Sequence, residues 1–180
     1  ADDIIGSLAH KFREQGMAVT IVSADKDLAQ LILGEEDAWW DYARGNVLNH
    51  KGVERHFGVK PAQIADMLAL TGDKIDNIPG IPGIGSTTAS RILKKYETVE
   101  DVITNCDDIA AMKFRGSSRV QALVNLHKDI LPLNKLLTTV VTDMYFDEDP
   151  DLNWTGINDE AFTKISTQLD ISDTMQQRWL

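Results

Sequence analysis

Residues 72–85 read GDKIDNIPGIPGIG, and no regular helix or strand can run through them. Pro79 and Pro82 lack a backbone N–H, and each glycine is entropically costly inside an element. The segment must be a tight connector, and its other residues say how it is held. Ile81 and Ile84 are apolar pins to a core, while Gly83 and Gly85 allow tight turning and the close approach of another backbone. Ser86-Thr87-Thr88-Ala89 follows, so that Ser86 or Thr87 can cap a helix over residues 87–95 carrying Arg91, Lys94 and Lys95. The free N–H groups at such a helix start suit a phosphate. Gly83, Ile84, Gly85, Ser86, Thr87 and Thr88 therefore form a candidate site for a phosphate backbone, with nothing in it to read bases. The plain alternative is a proline-rich connector, which has no need of the apolar pins or the basic helix.

Three pairs of carboxylates accompany this hairpin. Asp2-Asp3 opens a helix, Asp25-x-Asp27 follows a strand, and Asp73-x-x-Asp76 leads into the glycine-rich turn. Mg²⁺ and Mn²⁺ are hard cations that take carboxylate and water oxygens. Two such ions about 4 Å apart can clamp the attacking and leaving oxygens of a phosphodiester, which requires several crowded carboxylates. Taken singly each pair has an ordinary explanation: Asp2 and Asp3 as first-turn residues, Asp25 as a helix cap, Asp73 and Asp76 as turn formers. Together with the hairpin, Asp2, Asp3, Asp25, Asp27, Asp73 and Asp76 become candidate catalytic residues and divalent-metal ligands.

The remaining pattern predicts an α/β start followed by helices. A helix over residues 2–15 closes at Gly16, a β-branched run over residues 18–23 reads as a buried strand, and residues 27–33 return to helix. Residues 38–42 and 47–48 flank an Arg44-Gly45-Asn46 hairpin turn. Helices follow over residues 53–57, 62–70, 87–95, 99–104 and 117–128, with Pro132 interrupting before a helix over residues 133–139. An acidic loop over residues 143–151 and two helices near residues 159–169 and 172–179 close the chain. The division expected is residues 1–50, 51–142 and 143–180.

The net charge of −10 argues against a nucleic-acid partner only until it is dissected. Residues 143–180 hold nine acids and two bases; residues 1–142 hold nineteen acids and sixteen bases, six of the acids being the candidate ligands. Without those six the first 142 residues carry an excess of three positive charges, so location matters more than the total. Lys113, Arg115 and Arg119 flank Gly116 and are candidate phosphate contacts. Arg91, Lys94 and Lys95 could serve equally as a solvated helix face, and Lys26 could lie near a phosphate or simply at the surface. Trp39, Trp40 and Tyr42 fit hairpin packing better than base stacking, and Trp154 and Trp179 read as anchors of the C-terminal segment. His10, His50, His56 and His127 lack zinc-ligand spacing. The lone Cys106 excludes an internal disulfide and fits the cytoplasm. No apolar run reaches membrane-spanning length, and Ala1-Asp2-Asp3 is unlike a secretory leader.

The string GDKIDNIPGIPGIG, preceded by ADDIIGSLA at the start and VSADKDLAQL at residues 22–31 and followed by Phe114-Arg115-Gly116, resembles the bacterial 5′-3′ exonucleases. These comprise stand-alone flap endonucleases and the 5′-nuclease domain of family A DNA polymerases. The resemblance covers about residues 1–142 and implies a PIN-like 5′-nuclease core remnant followed by an α-helical helix-3-turn-helix domain. It aligns Ala1, Asp2 and Asp3 with the last three positions of a metal-binding Glu-Ala-Asp-Asp element, Asp25 and Asp27 with a second aspartate pair, and Asp73 and Asp76 with the pair leading into the DNA-binding motif. It implies two Mg²⁺ or Mn²⁺ ions, and a K⁺ ion at the hairpin held by the carbonyls of Leu70, Thr71, Pro79, Ile81 and Ile84. The partner implied is DNA with a 5′ flap, nick or 5′ end, bound by a monomer without sequence preference. The family's upstream acidic strands and basic arch have no counterpart here, so the chain is expected to be the C-terminal portion of such a nuclease.

The reading is thus a metal-dependent 5′ nuclease. Two others stand beside it: a non-catalytic, structure-specific DNA-binding fragment with an incomplete metal site, and a small-molecule phosphatase using Asp25 and Asp27. The hairpin argues against the last.

Overall fold

The computed structural model describes residues 1–146 and 156–179, the side chain of Trp179 excepted. It divides into two compact units, Ala1–Met144 and Tyr145–Leu180. In the first, helix α1 (Asp2–Glu14) ends where Gly16 adopts a left-handed φ of 81°. Strand β1 (Thr20–Val22) pairs in parallel with β2 (Ala38–Asp41), which pairs antiparallel with β3 (Asn46–Asn49) in the order β1-β2-β3. The hairpin joining β2 to β3 turns where the Arg44-Gly45-Asn46 signal places it. The Asp41 carboxylate accepts from the Arg44 amide and guanidinium at 3.2 and 2.6 Å.

The segment between β1 and β2 differs from the expected helix over residues 27–33. It is a 3-10 helix over Lys26–Leu31 with Leu28, Ala29, Gln30 and Leu31 all buried. With four consecutive residues buried the segment has no solvent-facing side, so apolar spacing does not tell a 3-10 helix from an α-helix here. Gln30 is accommodated because its amide donates to the Thr138 carbonyl at 3.0 Å and accepts from the Val140 amide at 3.0 Å.

Helices α2 (His50–Phe57) and α3 (Ile64–Thr71) follow. Asn49 caps α2 by accepting from the Gly52 amide, which starts that helix earlier than the apolar pattern alone indicates. Every residue of α3 from Ile64 to Leu70 is buried, so this helix is the axis of the helical part. Helices α4 (Ser86–Leu93), α5 (Val99–Thr104), α6 (Ser117–His127) and α7 (Leu131–Thr138) surround it. Pro132 does not interrupt; it sits in the first turn of α7, where its missing N–H is not needed. A 3-10 turn over Cys106–Ala111, unannounced by periodicity, links α5 to α6.

Polar pins fix α7 against α3. The Asn134 side-chain amide donates to the Ala69 carbonyl at 3.1 Å, the Thr138 hydroxyl to Ala65 at 3.0 Å, and Lys135 pairs with buried Asp66 at 2.8 Å. Beyond α7 the chain crosses α1 at Gly6, where a Cβ would meet Val140 Cγ1 at 2.6 Å and the Val141 carbonyl at 2.8 Å.

The second unit contains α8 (Asp159–Gln168) and α9 (Asp173–Trp179), close to the expected spans. Part of the expected acidic loop, and Trp154, lie outside the described residues. Among the described residues no helix is long and apolar enough to cross a membrane.

Candidate active site

Two chain turns bring the acidic motifs together. After β1, the Asp25 amide donates to Ser23 Oγ at 3.0 Å and the Asp25 carboxylate accepts from the Asp27 amide at 3.0 Å. Asp25 is therefore the helix cap, and Asp27 stands in the first turn behind it. At the end of α3, Asp73 and Ile78 exchange backbone hydrogen bonds of 2.9 and 2.7 Å, and the Asp73 carboxylate accepts from the Ile75 amide at 2.8 Å. These bonds fold residues 74–77 into a turn, with Asn77 at a φ of 56°, and place Asp76 beside Asp73.

Asp27, Asp73 and Asp76 each present a carboxylate oxygen, and the three oxygens lie within 4.8 Å of one another. Asp73 is buried, Asp27 half-buried and Asp76 exposed. Asp27 Oδ1 is buried without a hydrogen-bond partner, an arrangement that a coordinated cation would satisfy. The donor set, all carboxylate, is that of a hard divalent ion.

The other candidate ligands border this cluster. Asp2, Asp3, Asp27 and Asp76 line one cleft of about 430 Å³ together with residues 136–141. Asp3 there accepts from the Val141 amide at 2.8 Å. Asp25 faces a second cleft of about 530 Å³, which it shares with Lys26, Arg44, His56, Ile75 and Asp76. Three of the six aspartates thus meet directly, and three flank them.

Lys26, which the sequence leaves open between surface and site, reaches into the cluster. Its ammonium contacts Asp73 Oδ2 and stands 3.3 Å from Asp27 Oδ1. Burial holds the Asp27 carboxyl above the usual range; Lys26 opposes this, and the charges of Asp25 and Asp73 add to it. The hydrogen bond from Lys26 holds Asp73 below that range against the cost of burial, with help from the Ile75 and Asp76 amides. Burial pulls the Lys26 ammonium down, but Asp73 and Asp27 together raise it above its ordinary value.

The hairpin lies directly behind Asp76. Its close backbone contact falls at Gly72 and Gly80 rather than at Gly85. A Cβ on Gly80 would sit 2.2 Å from the Gly72 nitrogen and 2.6 Å from the Thr71 carbonyl oxygen, whereas one on Gly85 would meet nothing within 4 Å. Gly83 does turn tightly, at a φ of 90°. Of the carbonyls singled out for an ion, that of Leu70 accepts the Ile81 amide at 2.8 Å and that of Ile81 accepts the Ile84 amide at 3.0 Å. Each keeps a second lone pair. The Thr71 carbonyl borders the space that a Gly80 side chain would fill, and Pro79 is exposed while Ile84 is buried.

The cap of α4 is a correction. Gly85 occupies the N-cap position with no side-chain hydrogen bond, and its carbonyl accepts the Thr88 and Ala89 amides at 2.9 Å. Ser86 and Thr87 lie inside the first turn and are exposed. Capping by backbone alone leaves the helix start open to an anion.

Lys113, Arg115 and Arg119 are exposed around the start of α6. The half-buried Phe114 ring lies under the Arg91 guanidinium at 5.8 Å, which ties this loop to α4. Trp39 is buried, and its indole N–H donates to the Asp25 carbonyl at 3.1 Å; it supports the aspartate loop. Trp40 and Tyr42 stack edge-on at 5.2 Å.

Two family descriptions match the chain: the 5′-3′ exonuclease N-terminal resolvase-like domain over residues 1–58, and the 5′-3′ exonuclease C-terminal SAM fold over residues 59–160. The 5′-3′ exonuclease of Buchnera aphidicola subsp. Schizaphis graminum is 35% identical over 144 residues, covering 80% of this chain and 50% of that protein. That of Aquifex aeolicus is 48% identical over 105 residues, covering 58% of this chain and 36% of that protein. The chain therefore spans half or less of the length of these relatives. A flap endonuclease of bacteriophage T5, solved with DNA and metal ions, superposes with a TM-score of 0.64 at 21% identity over 78% of this chain and 50% of that one. That likeness establishes the fold.

Proposed function

The chain belongs to the 5′-3′ exonuclease family, and we propose from that membership that it serves metal-dependent hydrolysis of DNA phosphodiesters at a 5′ end, nick or flap. The observation that carries the reading is the convergence of Asp27, Asp73 and Asp76 within 4.8 Å, one of their oxygens buried and facing only the Lys26 ammonium. Mg²⁺ or Mn²⁺ held there would supply an activated water and neutralise phosphate charge. Asp27, Asp73 and Asp76 hold the first ion. Asp2 and Asp3 from one adjoining cleft, and Asp25 from the other, would serve a second ion.

Substrate is held by the hairpin. The segment from Gly83 through Thr88 takes a backbone phosphate through the amides of Gly85, Ser86 and Thr87, since those of Ile84 and Thr88 are already bonded, and Lys113, Arg115 and Arg119 take others. Neither group reads bases, so binding is independent of sequence. K⁺ at the carbonyls of Leu70, Thr71, Pro79, Ile81 and Ile84 adds positive charge to the same phosphate site. The T5 flap endonuclease solved with DNA and metal ions supports a DNA partner and a metal requirement. We assign residues 1–50 to the nuclease core, residues 51–142 to DNA binding and residues 143–180 to an acidic appendage. The protein acts as a cytoplasmic monomer.

The test is cleavage and binding of a labelled 5′-flap DNA with Mg²⁺, using the unsubstituted chain and the double variant Asp73→Asn, Asp76→Asn. Metal-dependent cleavage that the substitutions lower by at least about 10³-fold, with binding retained, supports the proposal; removing transition-state charge stabilisation costs on that order. Salt-sensitive binding of branched DNA without cleavage by either protein supports the DNA-binding reading instead. Absence of both refutes the DNA assignment.

A further inference from the structure

Lys26 reaches into the carboxylate cluster. Its ammonium contacts Asp73 Oδ2 and lies 3.3 Å from Asp27 Oδ1, two carboxylates of the cluster assigned above to metal. At 3.3 Å the ammonium offsets the charge of Asp27 Oδ1 but gives this buried oxygen no hydrogen bond of good geometry. The lysine enters from the solvent edge: its side chain is 41% exposed, against 4% for that of Asp73. A four-carbon stem anchored beside Asp25 can therefore swing the charge out into water without disturbing the core. An ammonium in contact with these two carboxylates repels a divalent ion that approaches them.

We infer that Lys26 is a displaceable internal counter-ion of the metal centre. In metal-free protein it relieves the mutual repulsion of Asp27, Asp73 and Asp76. It leaves the cluster when a divalent ion binds, so the measured affinity for that ion is lower than the carboxylates alone would give. The inference rests on the reading of these aspartates as metal ligands. It goes beyond that reading by giving the residue between Asp25 and Asp27 a role of its own.

The experiment is calorimetric titration with Mn²⁺ of the unsubstituted chain, Lys26→Met, Lys26→Gln and Lys74→Met, with thermal unfolding of each before and after Mn²⁺. Lys74 is exposed on the neighbouring turn, so its removal reports the loss of one nearby positive charge outside the cluster. Both Lys26 variants are expected to bind Mn²⁺ at least about tenfold more tightly, the effect of removing a charge in contact with the ligands. They should also unfold at lower temperature without metal and regain more with it. Lys74→Met is expected to stay within about threefold of the unsubstituted chain. Equal or weaker Mn²⁺ affinity in the Lys26 variants, or an equal gain in Lys74→Met, overturns the inference and leaves the metal centre standing. No saturable Mn²⁺ binding in any of the four overturns both.

Discussion

Asp37 shows how one side chain can hold the start of the sheet. It is 2% exposed and accepts from Arg13 Nε at 2.8 Å, the Val19 amide at 2.9 Å and the Gly34 amide at 2.7 Å. Gly34 is bare for the same reason, since a Cβ there would stand 3.0 Å from the carboxyl carbon. Burial raises the carboxyl's pKa, but the two amides and Arg13 outweigh it, and the folded value ends below the ordinary one. A depressed folded value means the carboxylate stabilises the fold fully above its unfolded pKa, about 3.9. That contribution fades as pH falls through the folded value. Urea unfolding at pH 7 should therefore show Asp37→Ala less stable by about 3 kcal/mol, the scale of breaking a buried pair. The gap should narrow at pH 3; a gap independent of pH would mean that Asp37 acts through packing alone. In the sequence it is the third of three acids, Glu35-Glu36-Asp37, and nothing local distinguishes the one that turns inward.

At the scale of elements, the hairpin between α3 and α4 is two strips of backbone pressed together. Gly72 and Gly80 both have left-handed φ, 76° and 57°, and each occupies the space that the other's side chain would need. Gly80→Ala should cost about 2–4 kcal/mol, combining backbone strain with overpacking, and should weaken DNA binding. Gly85→Ala, facing open space, should cost about 1 kcal/mol or less, the N-cap preference for glycine over alanine. Circular-dichroism melts of the two variants check this, and equal losses would contradict the contact described. The hairpin itself was legible because proline and glycine leave few conformations and Ile81 and Ile84 mark its inner side. Which glycines touch was not, because that depends on where α3 ends, a property of its burial rather than of the hairpin's residues. The same limit applies to Asp25 and Asp27: their proximity to Asp73 was an expectation of chemistry. Their division into a cap and a cluster member follows from the 3-10 helix, which the apolar pattern presents as an ordinary helix.

For the whole molecule, the acidic balance and a nucleic-acid partner are compatible because the charges are segregated. Negative residues converge at Asp27, Asp73 and Asp76 and are dense in residues 143–180, while Lys113, Arg115 and Arg119 stand exposed at the start of α6. Gly83 lies close to α6, where an added Cβ would meet Leu123 Cδ1 at 3.5 Å, so the basic loop and the hairpin border one surface. If that surface takes the DNA backbone, each base neutralises one phosphate and releases its counter-ions. Each contact adds about 0.9 to the slope of log affinity against log salt. The triple variant Lys113→Ala, Arg115→Ala, Arg119→Ala should therefore lose about 2–3 from that slope. Its melting temperature should stay within a few degrees, since none of the three side chains is buried. Fluorescence-anisotropy titrations of a flap DNA at several salt concentrations measure the slope. An affinity loss with an unchanged slope would mean that these residues shape the loop around Phe114 rather than contact phosphate, whereas an unchanged affinity would move the duplex to another face of the helical part.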